Sequence, residues 1–75
     1  MNSKRRSQVK KIIKTIRSLV RDIEQLKSEE ESAKDNLPES LQYSEKADAM
    51  ESAVEHFDEA VQKLEEAADD LENIE

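Results

Sequence analysis

One histidine and a large supply of carboxylates and serines are the only side chains in this 75-residue chain that suggest chemistry. His56 stands among Glu55, Asp58 and Glu59. On a helix its i±4 neighbours are Ser52 and Ala60, so only Glu59 at i+3 lies on its face. One imidazole and one carboxylate do not make a metal site, and His56 reads as a solvated surface residue. Asp69 and Asp70 lack the alternating ligands and the turn glycine of a calcium loop. With no Gly there is no phosphate-cradling loop, and with no Cys there is neither a disulfide nor a thiolate metal site. Catalysis needs a pocket that shifts a pKa and excludes water; a two-helix plan provides none. The expectation is a non-enzyme with no catalytic residues, no metal and no cofactor.

The remaining candidate for molecular recognition is a row of acids, Glu51, Asp58, Glu65 and Glu72, repeating every seventh residue. A repeat of that period places all four on one edge of a helix. The elements that would position the row follow from the apolar pattern. In the first half Val9, Ile12, Ile16, Leu19, Ile23 and Leu26 alternate steps of three and four, the a/d rhythm of a coiled coil. Glu30, Ala33 and Leu37 continue that register with a weakened seam, while Ile13 and Val20 add a stripe at e. In the second half Ala47, Met50, Val54, Phe57, Val61, Leu64, Ala68 and Leu71 fall at a and d. There Ala53, Ala60, Ala67 and Ile74 add a stripe at g.

Between the two registers Pro38 cannot continue a helix and pushes Leu37 out of the α region. Asn36 is the candidate left-handed cap of the first helix, and Ser44 the N-cap of the second, with Glu45 and Asp48 at its positive end. The stretch 38–42 suits one short helical turn, with Leu37, Leu41 and Tyr43 plugging the tip. The fold expected is all-α: a single domain over 1–75, with helix 1 over about 4–35, a turn at 36–44 and helix 2 over about 45–73. A connection of this length returns the chain antiparallel.

Charge supports that pairing. Residues 1–27 carry nine basic side chains against Asp22 and Glu24, a balance of +7, whereas residues 28–75 balance at −14. An antiparallel hairpin lays the basic helix along the acidic one. It also sets Lys4, Arg5 and Arg6, unfavourable at a helix N-terminus, beside Glu72 and Glu75, unfavourable at a C-terminus. Across the seam the acidic row is expected to face Arg6, Ile13, Val20 and Lys27, pairing Arg6 with Glu72 and Lys27 with Glu51.

A single 75-residue core is small, and oligomerisation is the remedy left to a chain without disulfides or metals. Both helices carry apolar faces wider than one seam requires, a bundle trait. With the surplus stripes at e and g they would emerge on opposite flanks. The expectation is a homodimer forming a four-helix bundle.

Lys4, Lys10, Lys11, Lys14, Arg17 and Arg21 fall at outward positions, which read as a solvated face. A recognition motif for DNA and aromatics for RNA stacking are missing, so direct nucleic-acid binding is not expected. No run approaches the roughly 20 apolar residues of a membrane span. Helix 1 also lacks the Trp or Phe anchors of a membrane-surface helix. A cytoplasmic protein is expected.

The string Asp35-Asn36-Leu37-Pro38-Glu39-Ser40-Leu41-Gln42, followed by Ser44-Glu45 and Met50, resembles a family of small, acidic, uncharacterised coiled-coil proteins of Gram-positive phages and prophages. The likeness covers the turn and most of helix 2. It implies a bacterial host cell as the setting and names no activity. Two functions fit: a self-associating adaptor module with a host or phage protein partner, or an inhibitor. The inhibitor would dock its acidic face on a host nucleic-acid-handling or defence protein, imitating a phosphate backbone.

Overall fold

The computed structural model describes residues 1–74; Glu75, expected beside the basic N-terminus, lies outside them. Two α-helices, α1 (Ser3–Asp35) and α2 (Glu45–Glu72), are joined by one 3-10 turn at Glu39–Leu41. They pack antiparallel into a rod whose Cα extents are 60 × 14 × 11 Å. No strand occurs among the described residues.

Each helix begins at a side-chain cap. Asn2 takes the Arg5 N–H at 2.8 Å, which opens α1 one residue before the expected start. Ser44 accepts the Ala47 N–H at 3.3 Å while its own hydroxyl donates to the Leu41 carbonyl at 2.6 Å. These oxygens satisfy amide donors that have no partner inside a helix.

The end of α1 differs from the left-handed cap expected at Asn36. Its φ is −89° and ψ is 0°, and no residue has a positive φ among those described. The helix closes instead with the Asn36 N–H on the Ser32 carbonyl and the Leu37 N–H on Lys34, at 3.0 and 3.1 Å. The Gln42 amide then reaches back, donating to the carbonyls of Leu37 at 2.8 Å and Lys34 at 3.3 Å. A side-chain donor thus takes over the work that a positive-φ residue would do with backbone. This is how a chain without Gly turns the corner.

The tip also differs in its packing. Leu37 is half-buried, but Leu41 is 40% exposed and Tyr43 is 96% exposed, so neither plugs the turn. Pro38 is extended at φ −54° and ψ 148°, and carries the chain onward past the end of α1 before the 3-10 turn reverses it. That overshoot slides α2 along α1. Lys27 consequently meets Asp58, and Lys34 meets Glu51. The acidic row is displaced by about one heptad, roughly 10 Å of helix rise, from the alignment of Lys27 with Glu51 that charge alone suggested.

Candidate protein-interaction surface

The seam of the hairpin is built on α2 as its pattern anticipates. Ala47 and Ala68 are 1% and 2% exposed, and Met50, Val54, Phe57, Val61, Leu64 and Leu71 are half-buried between them. Helix α1 is rotated relative to its expected seam. The residues it turns toward α2 are Val9, Ile13, Ile16, Val20, Ile23, Lys27, Glu30, Lys34 and Leu37, all half-buried except Val20, which is buried. Ile12, Leu19 and Leu26, expected in the seam, lie beside it, 50%, 46% and 51% exposed, and Ala33 is exposed too.

The rotation has a physical cause. Three adjacent stripes of α1 are apolar, and a two-helix seam takes only two. The central stripe of Val9, Ile16 and Ile23 is inside in either case. Choosing Ile13 and Val20 as its companion also brings Lys27 and Lys34 to the edge of the seam. There their stems cover apolar surface and their ammonium groups reach the acids of α2. Choosing Ile12, Leu19 and Leu26 would have turned those lysines away.

One flank of the rod is therefore charged. The Lys27 ammonium sits 2.6 Å from Asp58 and 3.7 Å from Glu31. Lys34 sits 3.4 Å from Glu51, and Arg17 holds Glu72. Arg17, not Arg6, is thus the partner of Glu72, and Lys34, not Lys27, the partner of Glu51. Glu65, the fourth of the row, shares a shallow groove with Val20, Arg21 and Ala68. The hydrogen bond it donates to Asp58 holds the Lys27 ammonium above its ordinary pKa of 10.5. The acidic row, read as a partner-binding face, is largely occupied in gripping α1.

The opposite flank is apolar. The ion pairs place the outer edges of both helices together on the charged side. In an antiparallel pair this leaves Ile12, Leu19, Leu26 and Ala33 of α1 on the same side as Ala53, Ala60 and Ala67 of α2. The surplus stripes, expected on opposite flanks, share one. The alignment set by Lys27 with Asp58 makes level pairs of Leu19 with Ala67, Leu26 with Ala60, and Ala33 with Ala53. Ala53 and Ala60 are half-buried, Ala67 is exposed and Ile74 is 43% exposed. Ile74, expected in this stripe, lies beyond the end of α2 and borders a groove with Met1, Arg6, Lys10, Ile13 and Glu72, toward the charged side. No large side chain is fully buried among the described residues.

His56 is exposed, its Nδ1 4.0 Å from Glu59. Among the described residues no three His, Asp or Glu side chains come together at metal-holding range. No described helix is long and apolar enough to cross a membrane.

The signal for the rotated seam was present but polar. From Val9 the three-four rhythm continues through Ile13, Ile16, Val20 and Ile23 to Lys27, Glu30, Lys34 and Leu37. A hydropathy pattern stops at the first lysine, although a lysine stem packs as an apolar chain. Gln42 had no such signal, because its role depends on the return of the chain past Lys34.

Comparison with protein-family models, curated proteins and solved structures finds no match for this chain.

Proposed function

We propose that this chain is a non-enzymatic protein–protein interaction module that works by docking its apolar flank, first of all in self-association into a four-helix bundle. The observation that carries the reading is the row Ile12, Leu19 and Leu26, each about half exposed, on the same side of the rod as the Ala53, Ala60 and Ala67 stripe. Covering a half-exposed leucine recovers roughly 1 kcal/mol or more at about 25 cal/mol per Å². A hairpin whose only buried apolar side chains among the described residues are Val20, Ala47 and Ala68 gains stability by recovering it.

Sedimentation equilibrium tests this directly. The expected result is twice the chain mass for the native protein and a single chain mass for the Leu19→Lys, Leu26→Lys variant, both remaining helical. A native protein that sediments as a monomer at tens of micromolar would overturn self-association. The setting suggested by the turn motif, a phage or prophage protein in the bacterial cytoplasm, belongs to this same proposal.

A second reading is an inhibitor that offers its acids to a host nucleic-acid-handling or defence protein. Glu51, Asp58 and Glu72 are engaged within the hairpin, so its surface would be the outward Glu55, Glu59, Glu66, Asp69 and Asp70, all exposed. Such binding would weaken steeply with salt and with Glu→Gln changes there, and would be indifferent to Leu19 and Leu26.

A further inference from the structure

We infer that the occupant of the apolar flank is a second copy related by a two-fold axis parallel to the rod, with α1 of each copy on α2 of the other and both turns at the same end. This rests on the apolar flank being the docking surface, and it adds the geometry of the pair.

Two symmetric ways exist to lay one flank on another. With the axis along the rod, α1 faces α2 of the second copy and heights are preserved. Leu19 then meets the second copy's Ala67, and Leu26 meets its Ala60. Ala33 meets its Ala53. Bulky side chains are set against small ones, which is how facing layers interdigitate at native density. With the axis across the rod, α1 faces α1 in reverse. Centring the stripes to cover them then sets Leu19 against Leu26, bulk on bulk, while Ala60 faces Ala67 and leaves a gap.

Charge at the rim points the same way. Bordering the flank on α1 are Thr15, Asp22 and Glu29, and on α2 are His56, Lys63 and Asp70, all exposed. In the same-end arrangement Asp22 comes level with Lys63 of the second copy, and Glu29 with His56. Opposite charges meet twice, once at each rim. In the opposite-end arrangement Asp22 approaches Asp22 and Lys63 approaches Lys63, a like-charge penalty on both sides. Size and charge therefore select one arrangement independently.

The area is adequate. The stripes run from Ile12 to Ala33 of α1, 22 residues and about 32 Å, and a hairpin is about 20 Å wide with its side chains. That is about 600 Å² in plan, close to the roughly 800 Å² per partner of a standard stable interface. The dimer so formed turns both charged flanks outward, on opposite sides, with the two exposed Tyr43 side chains at one end.

The experiment is pulsed dipolar spectroscopy on a spin-labelled Tyr43→Cys variant, the chain having no cysteine of its own to interfere. Tyr43 is 96% exposed, so the label leaves the fold alone. Same-end turns place the two labels within about 30 Å, given helix separations of about 10 Å and flexible label arms. Opposite-end turns place them about 60 Å apart, as the stripes lie roughly 20 residues from the tip at 1.5 Å each. A charge exchange gives a second readout. Asp22→Lys is expected to weaken dimerisation about tenfold, and adding Lys63→Asp to restore it, as opposed rim charges do in a coupled pair. A dimer with a distance near 60 Å, or one the double change does not restore, overturns the arrangement and leaves self-association standing. A monomeric mass, or an oligomer other than a dimer, overturns the second copy as the occupant of this flank.

Discussion

The two flanks of the rod are made of the same elements and read oppositely. On one, Lys27, Lys34 and Arg17 of α1 reach Asp58, Glu51 and Glu72 of α2, and these six charges pair with one another. On the other, Ile12, Leu19 and Leu26 lie beside a line of alanines and stay half exposed. The first flank aligns the helices; the second has apolar surface left over. Surface ion pairs of this kind contribute at most about 1 kcal/mol each and choose register more than they supply stability. Apolar area supplies stability, and here much of it is uncovered. Charge sets the register on one side, and on the other apolar surface stays uncovered.

Substitution acts most strongly at the apolar flank. Replacing Leu19 and Leu26 together with Lys is expected to weaken self-association by at least 1000-fold, since two half-exposed leucines per copy lose their cover. Dilution series in the analytical ultracentrifuge read this, with circular dichroism checking that helicity persists. Next in size is the seam between the flanks. Val20→Ala should cost about 2 kcal/mol in thermal unfolding at fixed protein concentration, through lost contact and an incompletely collapsed cavity.

Removing the Gln42 amide by Gln42→Ala leaves the carbonyls of Leu37 and Lys34 without their donor and should cost about 1 kcal/mol. The effect would appear first as faster amide exchange in the last turn of α1, with the dimer mass unchanged. The smallest effects belong to the charged flank. Asp58→Asn should lower the melting temperature slightly, and concentrated salt should abolish that difference. Lys27, held above its ordinary pKa of 10.5 by Asp58, contributes stability fully below that value. Its contribution is lost as pH rises through the raised folded value, because the unfolded chain releases the proton first. Alkaline melts of the native protein and of Lys27→Met should therefore converge above pH 10.5. A charged-flank variant that dissociated the dimer would sink the division of labour between the flanks.

Both helices and the break between them are written in the residues themselves. Heptad apolar spacing, Ser44 as a cap and Pro38 as a barrier act within a few positions of chain, so each is legible without knowing what packs nearby. The same holds for the α2 seam, where Ala47, Val54, Val61 and Ala68 have only one competing stripe. Helix α1 is different, since Ile12, Ile13, Leu19 and Val20 are equally apolar and its periodicity supports two seams at once.

Only the tertiary structure decided between them, together with the slide of about one heptad and the exposure of Tyr43. Seam and register are properties of a pair of helices. They follow from where Lys27 and Lys34 find acids, and from how far the extended Pro38 carries the chain before it turns. Periodicity determined that α1 has more apolar surface than one partner can cover. Which face would be left for another was settled when α2 arrived.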